Sequence, residues 1–429
     1  MKIAIIGAGF TGLSAAYKLT KKGHEVYVFE KDSLPGGLAI GYKEKQWNWS
    51  LEKHYHHWFT NDQYILSLAK EIDYKVIIKR PKTSVFVENN IYQLDSPLNA
   101  LTFPLLSVAQ RIRMSAVIGF LKYLPFWRIL EKYKASEILP KFMGKKAYEM
   151  IWEPLFINKF GDYAKGISLA WFWARITKRT PSLAYPEKGF LDFAKALVKK
   201  IENQGGVFYF GTEILNLAEV NKIKIKYSAK NITKEDSFDR CIVTVPSFLF
   251  LKIAPTLPKN YQDSLVKLKG LGATNLILRL KKPFFKDNSY WLSICNNKAP
   301  VMAIVEHTNF MDKKNYNGEH IVYLGNYRKS DNEYFSMTKQ QMLNRFDPFL
   351  KKINPDYKSN LIGYELFKAP FAQPIIPTNY SKILPKFETP FKGVYLANIE
   401  QVYPWDRGTN YAVELGLKAA DIVNLNNET

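Results

Sequence analysis

Apolar and polar positions in the first thirty residues follow two different spacings. Residues 3–6 (IAII) form an uninterrupted apolar run, which is typical of a strand buried on both faces of a parallel sheet. Residues 13–19 (LSAAYKL) place apolar side chains at helical spacing, and Gly23 ends that segment. Residues 26–29 (VYVF) are a second apolar run. The pattern predicts a strand–helix–strand unit.

A glycine motif joins the first strand to the helix. It reads Gly7-Ala8-Gly9-Phe10-Thr11-Gly12. The first glycine permits a tight turn, the second lets the backbone approach a pyrophosphate, and the third lets the helix pack on the strand. The helix N-terminus then presents free N–H groups to the phosphates. Glu30 follows Gly12 by 18 residues, near the spacing of a carboxylate that binds ribose hydroxyls. The motif predicts a bound dinucleotide.

The end of the chain shows a second strand-then-helix pattern. Residues 393–398 (GVYLAN) are typical of a buried strand, and residues 411–420 have helical spacing. A glycine turn, residues 407–410, separates them, and its Thr409 and Asn410 are good helix N-cap residues. Residues 274–280 and 320–324 are further predicted strands.

After Glu30 the chain continues Lys31-Asp32-Ser33-Leu34-Pro35-Gly36-Gly37-Leu38. With the glycine motif, this stretch resembles the flavin amine oxidase superfamily, which includes protoporphyrinogen oxidases, phytoene-type desaturases and UDP-galactopyranose mutases. The resemblance implies FAD as the cofactor, with the Gly-Gly pair beside its pyrophosphate and flavin. It also implies an α/β fold: a discontinuous, Rossmann-like FAD-binding domain with an inserted α+β substrate domain. Many members have arginine where this chain has Leu38.

Three later segments extend the resemblance. Residues 206–214 resemble the strand after which members lay backbone on the adenine. The closing helix resembles the one whose N-terminus points at the flavin, and Asn398 stands where many members have an acidic residue. Residues 185–190 resemble a Tyr-Pro-x-Gly-Gly segment, with Lys188 in place of the first glycine. The predicted cofactor-binding residues are Gly7, Gly9, Phe10, Thr11, Gly12, Glu30, Lys31, Gly36, Gly37, Leu38, Glu213, Ile214, Asn398, Asn410, Tyr411 and Ala412.

The matched segments predict the domain organisation. Residues 1–60, 190–250 and 390–429 would form the FAD-binding domain, and residues 61–189 and 251–389 the substrate domain. We expect the first substrate segment to be mostly helical and the second to form a mixed sheet over the flavin. No second complete glycine motif follows a strand, since residues 270–275 (GLGATN) lack the third glycine. We therefore expect no separate NAD(P)H domain.

Candidate catalytic residues fall in two places. Residues 52–62 (EKHYHHWFTND) are similar to a His-x-Phe-His-Thr-Asn stretch of UDP-galactopyranose mutases, which lies near the flavin. We predict that His56 and His57 act there as hydrogen-bond donors or acid/base groups, with packing or surface roles as the alternative. Their spacing does not favour a metal site, and we predict none. Arg407 is expected to hold a substrate or cofactor anion oriented by Asp406, unless the two form a structural ion pair.

Charge narrows the list of partners. Lys and Arg number 61 and Asp and Glu 39, a net charge of +22 that favours an anionic partner or reflects an A/T-rich genome. Residues 101–130 are apolar but interrupted by four cations, so they are expected to lie on an anionic membrane or to form a soluble helical cap, not to span a bilayer. Nucleic acid is excluded as a partner because no recognition motif is present. Only two cysteines occur, so we expect a cytoplasmic protein, attached if at all to the inner face of a membrane.

Three functions remain open at this point. The first is an FAD-dependent oxidoreductase that transfers a hydride to flavin from a lipophilic small molecule, such as an isoprenoid or tetrapyrrole. The second is a nucleotide-sugar isomerase that uses reduced FAD and holds a diphosphate with basic residues. The third is a flavin-bound protein without catalysis. An aromatic stripe at residues 171–175 (WFWAR) fits either the core or the wall of an apolar substrate pocket. The sequence sets no oligomeric state.

Overall fold

The computed structural model describes residues 1–425. Its strands are β1 (Lys2–Ile6), β2 (Glu25–Phe29), β3 (Gly41–Tyr42), β4 (Leu51–Glu52), β5 (Trp58–Phe59), β6 (Val76–Lys79), β7 (Lys82–Val87), β8 (Asn90–Gln93), β9 (Leu183–Pro186), β10 (Val207–Tyr209), β11 (Thr212–Val220), β12 (Lys222–Ala229), β13 (Ile232–Phe238), β14 (Arg240–Val243), β15 (Gly270–Leu280), β16 (Ser289–Ile294), β17 (Ala303–Glu306), β18 (His320–Arg328), β19 (Leu361–Pro374) and β20 (Val394–Leu396).

The helices connect and cover these strands. They are α1 (Phe10–Lys21), α2 (Gln63–Glu71), α3 (Pro97–Leu101), α4 (Val108–Tyr123), α5 (Ala135–Met143), α6 (Lys145–Ala147), α7 (Glu153–Phe160), α8 (Leu169–Lys178), α9 (Phe190–Glu202), α10 (Ser247–Ile253), α11 (Lys259–Val266), α12 (Lys339–Ile353) and α13 (Thr409–Leu425). One π-helical segment, Tyr148–Trp152, joins α6 to α7.

A five-stranded parallel sheet forms the centre of the nucleotide-binding half. Its strand order is β10-β2-β1-β14-β20, and each neighbouring pair is parallel. Successive side chains of β1 face opposite sides, so Ile3 and Ile5 join the core under α1, α9 and α13, whereas Ala4 and Ile6 face the other core. Burial on both faces explains the unbroken apolar runs of the sequence and confirms the predicted strand–helix–strand unit.

A three-stranded antiparallel sheet, β11-β12-β13, covers the second face. In β12 the buried side chains Ile223, Ile225 and Tyr227 alternate with exposed lysines, as expected for a sheet with one wet face. The prediction of one strand over residues 206–214 is wrong. Gly211 has φ +63° and turns the chain after β10, so β11 enters this second sheet.

A seven-stranded sheet forms the other half, in the order β19-β15-β18-β17-β16-β7-β8. The predicted strands 274–280 and 320–324 are confirmed as parts of β15 and β18, which pair antiparallel. The sheet is mixed because β16 and β7 are parallel. Strands of the two large sheets fall inside the ranges predicted for the two domains, while the domain limits themselves stay a prediction.

Helices α1 and α13 pack backbone against backbone. A Cβ atom on Gly416 would lie 2.1 Å from the Thr11 carbonyl oxygen and 2.2 Å from Ser14 Oγ. The Ser14 hydroxyl bridges the helices, since it donates to the carbonyl of Thr11 at 3.1 Å and to that of Val413 at 3.3 Å. The absence of a side chain at Gly416 therefore sets the distance between the first and last helices.

We expect Gly416→Ala to lower the free energy of unfolding by about 1–3 kcal/mol, the usual cost of overpacking. The matched control is Gly119→Ala in α4, where a Cβ atom would meet nothing within 4 Å. That control should raise stability by about 0.5–1 kcal/mol, since alanine is the better helix former. Urea denaturation followed by circular dichroism measures both. Equal stability of the two variants would show that α1 and α13 do not meet at this residue.

Candidate flavin site

The loop between β1 and α1 has the geometry of a phosphate cradle. Gly7 has φ +105°, and a Cβ atom on Gly12 would lie 1.9 Å from the Gly7 carbonyl oxygen, so both positions require glycine. Gly9 is the N-cap of α1, and no side chain caps the helix there. The first N–H groups of α1, at Phe10 and Thr11, are thus left for an anion, which the helix dipole also favours.

The second glycine loop lies against the first. Gly36 has φ +126° and Gly37 φ +57°, and the Gly36 N–H donates to the Ala8 carbonyl at 3.0 Å. A Cβ atom on Gly37 would be 3.0 Å from Gly9 Cα. A side chain on Gly37 would therefore fill the space between the loops. This narrow, side-chain-free cradle fits the pyrophosphate of a dinucleotide. The neighbouring Leu38 is half-buried and packs on the core.

Glu30 is fixed at the end of β2. Its carboxylate accepts hydrogen bonds from Ala8 N at 2.7 Å and Asp32 N at 2.8 Å, and burial raises its pKa. Next to it, Lys31 and Glu213 form an exposed ion pair at 2.9 Å, while Ile214 packs on the core. The structure thus brings the predicted ribose and adenine contacts together. Their roles toward the cofactor stay predictions.

The start of α13 differs from the expected cap. The Gly408 carbonyl accepts the first bonds of this helix, from Tyr411 N at 3.1 Å and Ala412 N at 3.0 Å. Thr409 Oγ1 instead accepts from Trp58 Nε1 at 2.8 Å, and Asn410 Oδ1 from Ile65 N at 3.1 Å. The prediction that Thr409 or Asn410 caps α13 is therefore wrong, because both side chains bind neighbouring segments.

Asn398 is satisfied by protein groups. Its side chain is 1% exposed, accepts from Glu400 N at 3.1 Å, and donates to Val245 O and Ser247 Oγ, both at 3.2 Å. These bonds tie the end of β20 to the chain that follows β14. A contact of Asn398 with the cofactor stays a prediction that its observed bonds do not support.

His54, His56 and His57 lie between β4 and β5, and a ring nitrogen of each has one hydrogen-bond partner. His54 Nδ1 accepts from Asn275 Nδ2 at 2.6 Å. His56 Nδ1 donates to the His54 carbonyl at 2.6 Å, and His57 Nδ1 lies 3.1 Å from Tyr290 Oη. Because a carbonyl can only accept, His56 carries its proton on Nδ1 and presents Nε2 as an acceptor.

Desolvation keeps these imidazoles neutral. Burial, reinforced by nearby cations, lowers the pKa of His54 and His57 to about 3. For His56 burial is again the largest cause, and its pKa is about 4. At neutral pH the segment therefore offers hydrogen-bond acceptors and neutral rings, and a charged imidazolium is disfavoured.

Tyr55 is a site residue that sequence reasoning missed. A Cβ atom on Gly325 of β18 would lie 2.5 Å from Tyr55 Cε1, so the ring packs on bare backbone. Its ring centre is 4.9 Å from that of Trp291. Burial raises the pKa of Tyr55 to about 12 despite the opposing field of Arg407. The one available signal was a glycine inside an otherwise apolar strand, which marks a close approach.

Arg407 and Asp406 have different partners. Arg407 Nε donates to Gln373 Oε1 at 2.9 Å, and its terminal nitrogen donates to the Tyr327 hydroxyl. Asp406 instead binds Lys159 Nζ at 2.9 Å and an Arg175 nitrogen at 3.3 Å. The alternative of a structural ion pair between Arg407 and Asp406 is therefore wrong, because within residues 1–425 the Arg407 guanidinium has no carboxylate partner. The expectation that Arg407 holds an anion stays a prediction.

The aromatic stripe of α8 supports the same loop. Trp171 and Trp173 are each 3% exposed. Trp171 Nε1 donates to Asp406 Oδ1 at 3.1 Å, and the Trp173 ring stacks on Trp405 with 5.4 Å between ring centres. Both rings therefore belong to the core, which was one of the two interpretations of this stripe. They position residues 403–407 before α13.

Within residues 1–425, no helix is both long and apolar enough to cross a bilayer. The same residues contain no group of three or more His, Cys, Asp or Glu side chains arranged to hold a metal ion.

Known proteins share this architecture. A 37-residue stretch is 60% identical to 4,4'-diapophytoene desaturase of Staphylococcus aureus (strain Newman), but it spans 9% of this chain and only 7% of that relative. An oxidoreductase of Methanosarcina mazei has TM-score 0.76 and 18% identity, covering 98% of this chain and 100% of its own. A reduced UDP-galactopyranose mutase has TM-score 0.78 and 17% identity over 99% and 96%.

The two structural matches share little sequence and so show the fold, which is the predicted α/β flavoprotein fold. The sequence profile of the family described as "Flavin containing amine oxidoreductase" matches residues 10–424. That match, together with the glycine cradle, confirms FAD as the cofactor. The chain belongs to the flavin-containing amine oxidoreductase family and is an FAD-dependent oxidoreductase.

Proposed function

We propose that the protein oxidises a lipophilic small molecule taken from the surface of an anionic membrane. The observation that carries this proposal is an apolar surface on α3, α4, α5 and the segments between them, which packs directly on the loop that holds Arg407. We call it the apolar helical surface. Its exposed side chains are Leu98, Leu101, Val108, Ile112, Phe120, Tyr123, Phe126, Ile129, Tyr133 and Phe142.

Exposed apolar side chains are concentrated in the apolar helical surface. It holds ten of the 22 exposed large hydrophobic side chains found in the described residues. Phe120 is 65% exposed, Tyr123 85% and Phe126 69%. At 3.6 residues per turn, the four on α4 fall within about 120° of its circumference. A contiguous apolar patch of this kind marks an interaction site.

Cations surround these apolar side chains. Those exposed in the same region are Arg113, Arg128, Lys132, Lys134, Lys141, Lys145 and Lys146. Near an anionic membrane each contributes about 1 kcal/mol of attraction, and burying each apolar side chain adds about 1.5–3 kcal/mol. Apolar side chains among lysines match the interface of an anionic bilayer better than a protein partner of opposite charge.

The surface is continuous with the site. The chain after α4 packs on residues 403–407: Trp127 meets Tyr403 edge to face at 5.0 Å, and Glu131 accepts from the Tyr403 hydroxyl at 2.9 Å. The Leu124 carbonyl accepts from Trp173 Nε1 at 2.8 Å. The apolar helical surface and the Arg407 loop are therefore direct neighbours in the fold.

Different residues of the site would bind the cofactor, orient the substrate and accept a proton. When bound, FAD supplies the two-electron chemistry by taking a hydride from the substrate. The two glycine loops would hold its pyrophosphate, Glu30 its ribose, and the N-terminus of α13 its flavin. The neutral rings of His54 to His57 and the Tyr55 ring keep water away and orient the substrate. His56 Nε2 can accept a hydrogen bond or a proton there.

One observation favours a second candidate, a nucleotide-sugar isomerase that uses reduced FAD. The single carboxylate of Asp406 binds two cations, Lys159 and Arg175, and such an excess of positive charge suits a diphosphate. Dithionite-reduced holoenzyme incubated with UDP-galactopyranose would then form a ring-size isomer, detectable by chromatography. Unchanged sugar would remove this candidate.

The proposed oxidation is tested by anaerobic mixing. Vesicles that carry candidate isoprenoids or tetrapyrroles are added to the oxidised holoenzyme, and the visible absorbance of the flavin is followed. We expect at least one apolar compound to bleach the flavin. The bleaching should be faster than that caused by vesicles of zwitterionic lipid that carry no such compound. If no apolar compound reduces it, the proposal fails.

We expect Gly9→Ala to lose FAD without unfolding. Its Cβ atom would lie 3.6 Å from Gly37 Cα, an ordinary contact, yet would project into the phosphate cradle. FAD affinity should fall by about tenfold or more, or about 1.4 kcal/mol. Flavin fluorescence measures the dissociation constant, and circular dichroism checks the fold. Unchanged affinity would place the pyrophosphate elsewhere. Gly119→Ala, which meets nothing, is the control.

We expect the double variant Phe120→Ser/Phe126→Ser to bind anionic vesicles at least about tenfold more weakly, since two exposed rings no longer insert. Co-sedimentation with phosphatidylglycerol vesicles measures the binding. The matched control is Val220→Ser/Ile232→Ser, which removes side chains of 56% and 60% exposure from β11 and β13. Both variants keep the net charge, so equal losses, or no loss, would contradict the assignment of this surface.

A further inference from the structure

Three contacts fix the ring of Tyr55. The ring packs on the bare backbone of Gly325, where a Cβ atom would come within 2.5 Å of it. It also meets the rings of Trp291 and Tyr323 edge to face, with ring centres 4.9 Å and 6.0 Å away. Edge-to-face contacts are a favoured geometry for aromatic pairs. The ring therefore carries its hydroxyl to a defined place.

The hydroxyl of Tyr55 has no hydrogen-bond partner within residues 1–425. Tyr55 is half-buried, and its oxygen is not enclosed by protein. Two neighbouring tyrosines, in contrast, each have a partner, as buried tyrosine hydroxyls usually do. Tyr290 Oη lies 3.1 Å from His57 Nδ1, and the Tyr323 hydroxyl donates to the Glu52 carbonyl at 2.7 Å. The donor and acceptor capacity of Tyr55 is thus left for a ligand.

A second polar atom without a partner lies beside this hydroxyl. Asn275 is 3% exposed, and its Nδ2 donates to His54, which leaves Oδ1 with no donor among the described residues. Asn275 of β15 is paired across the strands with Gly325 of β18. A Cβ atom on Gly325 would lie 2.9 Å from Asn275 Oδ1 and 3.1 Å from the Tyr55 hydroxyl oxygen. Two unpartnered polar atoms therefore converge on one point of β18.

The segment that carries the hydroxyl lies beside the starts of α1 and α13. The His56 ring centre is 5.5 Å from that of Phe190, which in turn is 6.3 Å from that of Phe10 in the first turn of α1. Further along the same segment, Trp58 donates to Thr409 at the start of α13. The N-termini of these two helices are where the cofactor is expected, so the hydroxyl is near the flavin site.

We propose that the Tyr55 hydroxyl and Asn275 Oδ1 bind a hydroxyl group of the substrate. This assignment rests on the proposed function, because the group belongs to the lipophilic molecule that is oxidised. An amide oxygen can only accept a hydrogen bond, whereas a tyrosine hydroxyl can donate or accept. A ligand group that satisfies both must therefore donate one hydrogen bond and be able to accept another, as an alcohol does.

The neighbouring charge favours a neutral group over an ammonium ion. Tyr327 lies two residues beyond Gly325 in β18, and so on the same face of the sheet. The Arg407 guanidinium donates to the Tyr327 hydroxyl and lies 4.9 Å from the centre of its ring. Because this guanidinium has no carboxylate partner within residues 1–425, its charge would repel a second cation bound nearby.

Tyr55→Phe removes only the hydroxyl. Because that group makes no hydrogen bond within the described chain, the ring packing and the fold should persist. The probes are geranylgeraniol and the hydrocarbon that carries hydrogen in place of its hydroxyl. Isothermal titration of each probe, dissolved in detergent, into dithionite-reduced holoenzyme measures binding without turnover, since a reduced flavin accepts no hydride. We expect Tyr55→Phe to weaken binding of the alcohol by about fivefold or more, and of the hydrocarbon by less than about twofold.

Tyr163→Phe is the matched control. Tyr163 is also half-buried, and its hydroxyl makes no hydrogen bond within residues 1–425, but it belongs to the short helical segment Gly161–Gly166. This variant should bind both probes as the wild-type holoenzyme does. The proposal is overturned if the wild type does not bind the alcohol, if Tyr55→Phe binds it as well as Tyr163→Phe does, or if Tyr55→Phe loses affinity for both probes equally.

Flavin reduction separates this proposal from the proposed function. If an apolar compound without a hydroxyl bleaches the flavin equally fast in the wild type and in Tyr55→Phe, the proposed oxidation stands and the hydroxyl subsite is overturned. If no apolar compound bleaches the flavin but Tyr55→Phe loses affinity for the alcohol alone, the subsite stands and the proposed oxidation fails.

Discussion

The close contact between α1 and α13 is the constraint on which the flavin site depends. The first helix begins in the phosphate cradle and the last begins beside the histidine segment, and they come from opposite ends of the chain. Gly416 lets α13 rest on the Thr11 carbonyl, and Lys18 pairs with Asp421 at 2.5 Å further along. Because the two helices run in parallel, their positive dipole ends lie on the same side of the fold, which is the side of the glycine cradle.

Residues 403–407 form the loop that leads into α13. The loop is held from one side by the tryptophans of α8 and from the other by Trp127 and Glu131. Its apolar side continues into the exposed surface of α4, and its polar side carries Arg407 and Asp406. Under the proposed function, the substrate would lie with its apolar part toward α4 and its reacting part at this loop.

The sequence predicted what depends on neighbours in the chain. Residues 3–12 specify strand, turn and helix locally, because apolar burial and glycine conformations are properties of short segments. Lys159, Arg175 and Asp406 come from α7, α8 and the loop before α13, so no spacing in the sequence could reveal that they pair. Tyr55 and Gly325 meet for the same reason only in the folded chain. The cap of α13 was misjudged because Thr409 and Asn410 serve as acceptors for Trp58 and Ile65, which lie far away in sequence.

Proton transfer in this site is governed more by burial than by residue type. Histidine ordinarily titrates near neutrality, but here burial is the largest cause of the low pKa of His56 and His57, and the cations add less. Burial also moves other groups toward neutrality: it lowers the pKa of Lys159 to about 7 and raises the pKa of Glu52 and of Glu400 to about 7. Glu52, which accepts from the Tyr185 hydroxyl at 2.8 Å, begins the histidine segment, so a carboxyl with a pKa near neutrality precedes imidazoles whose pKa is far lower, the reverse of the order that residue type alone predicts.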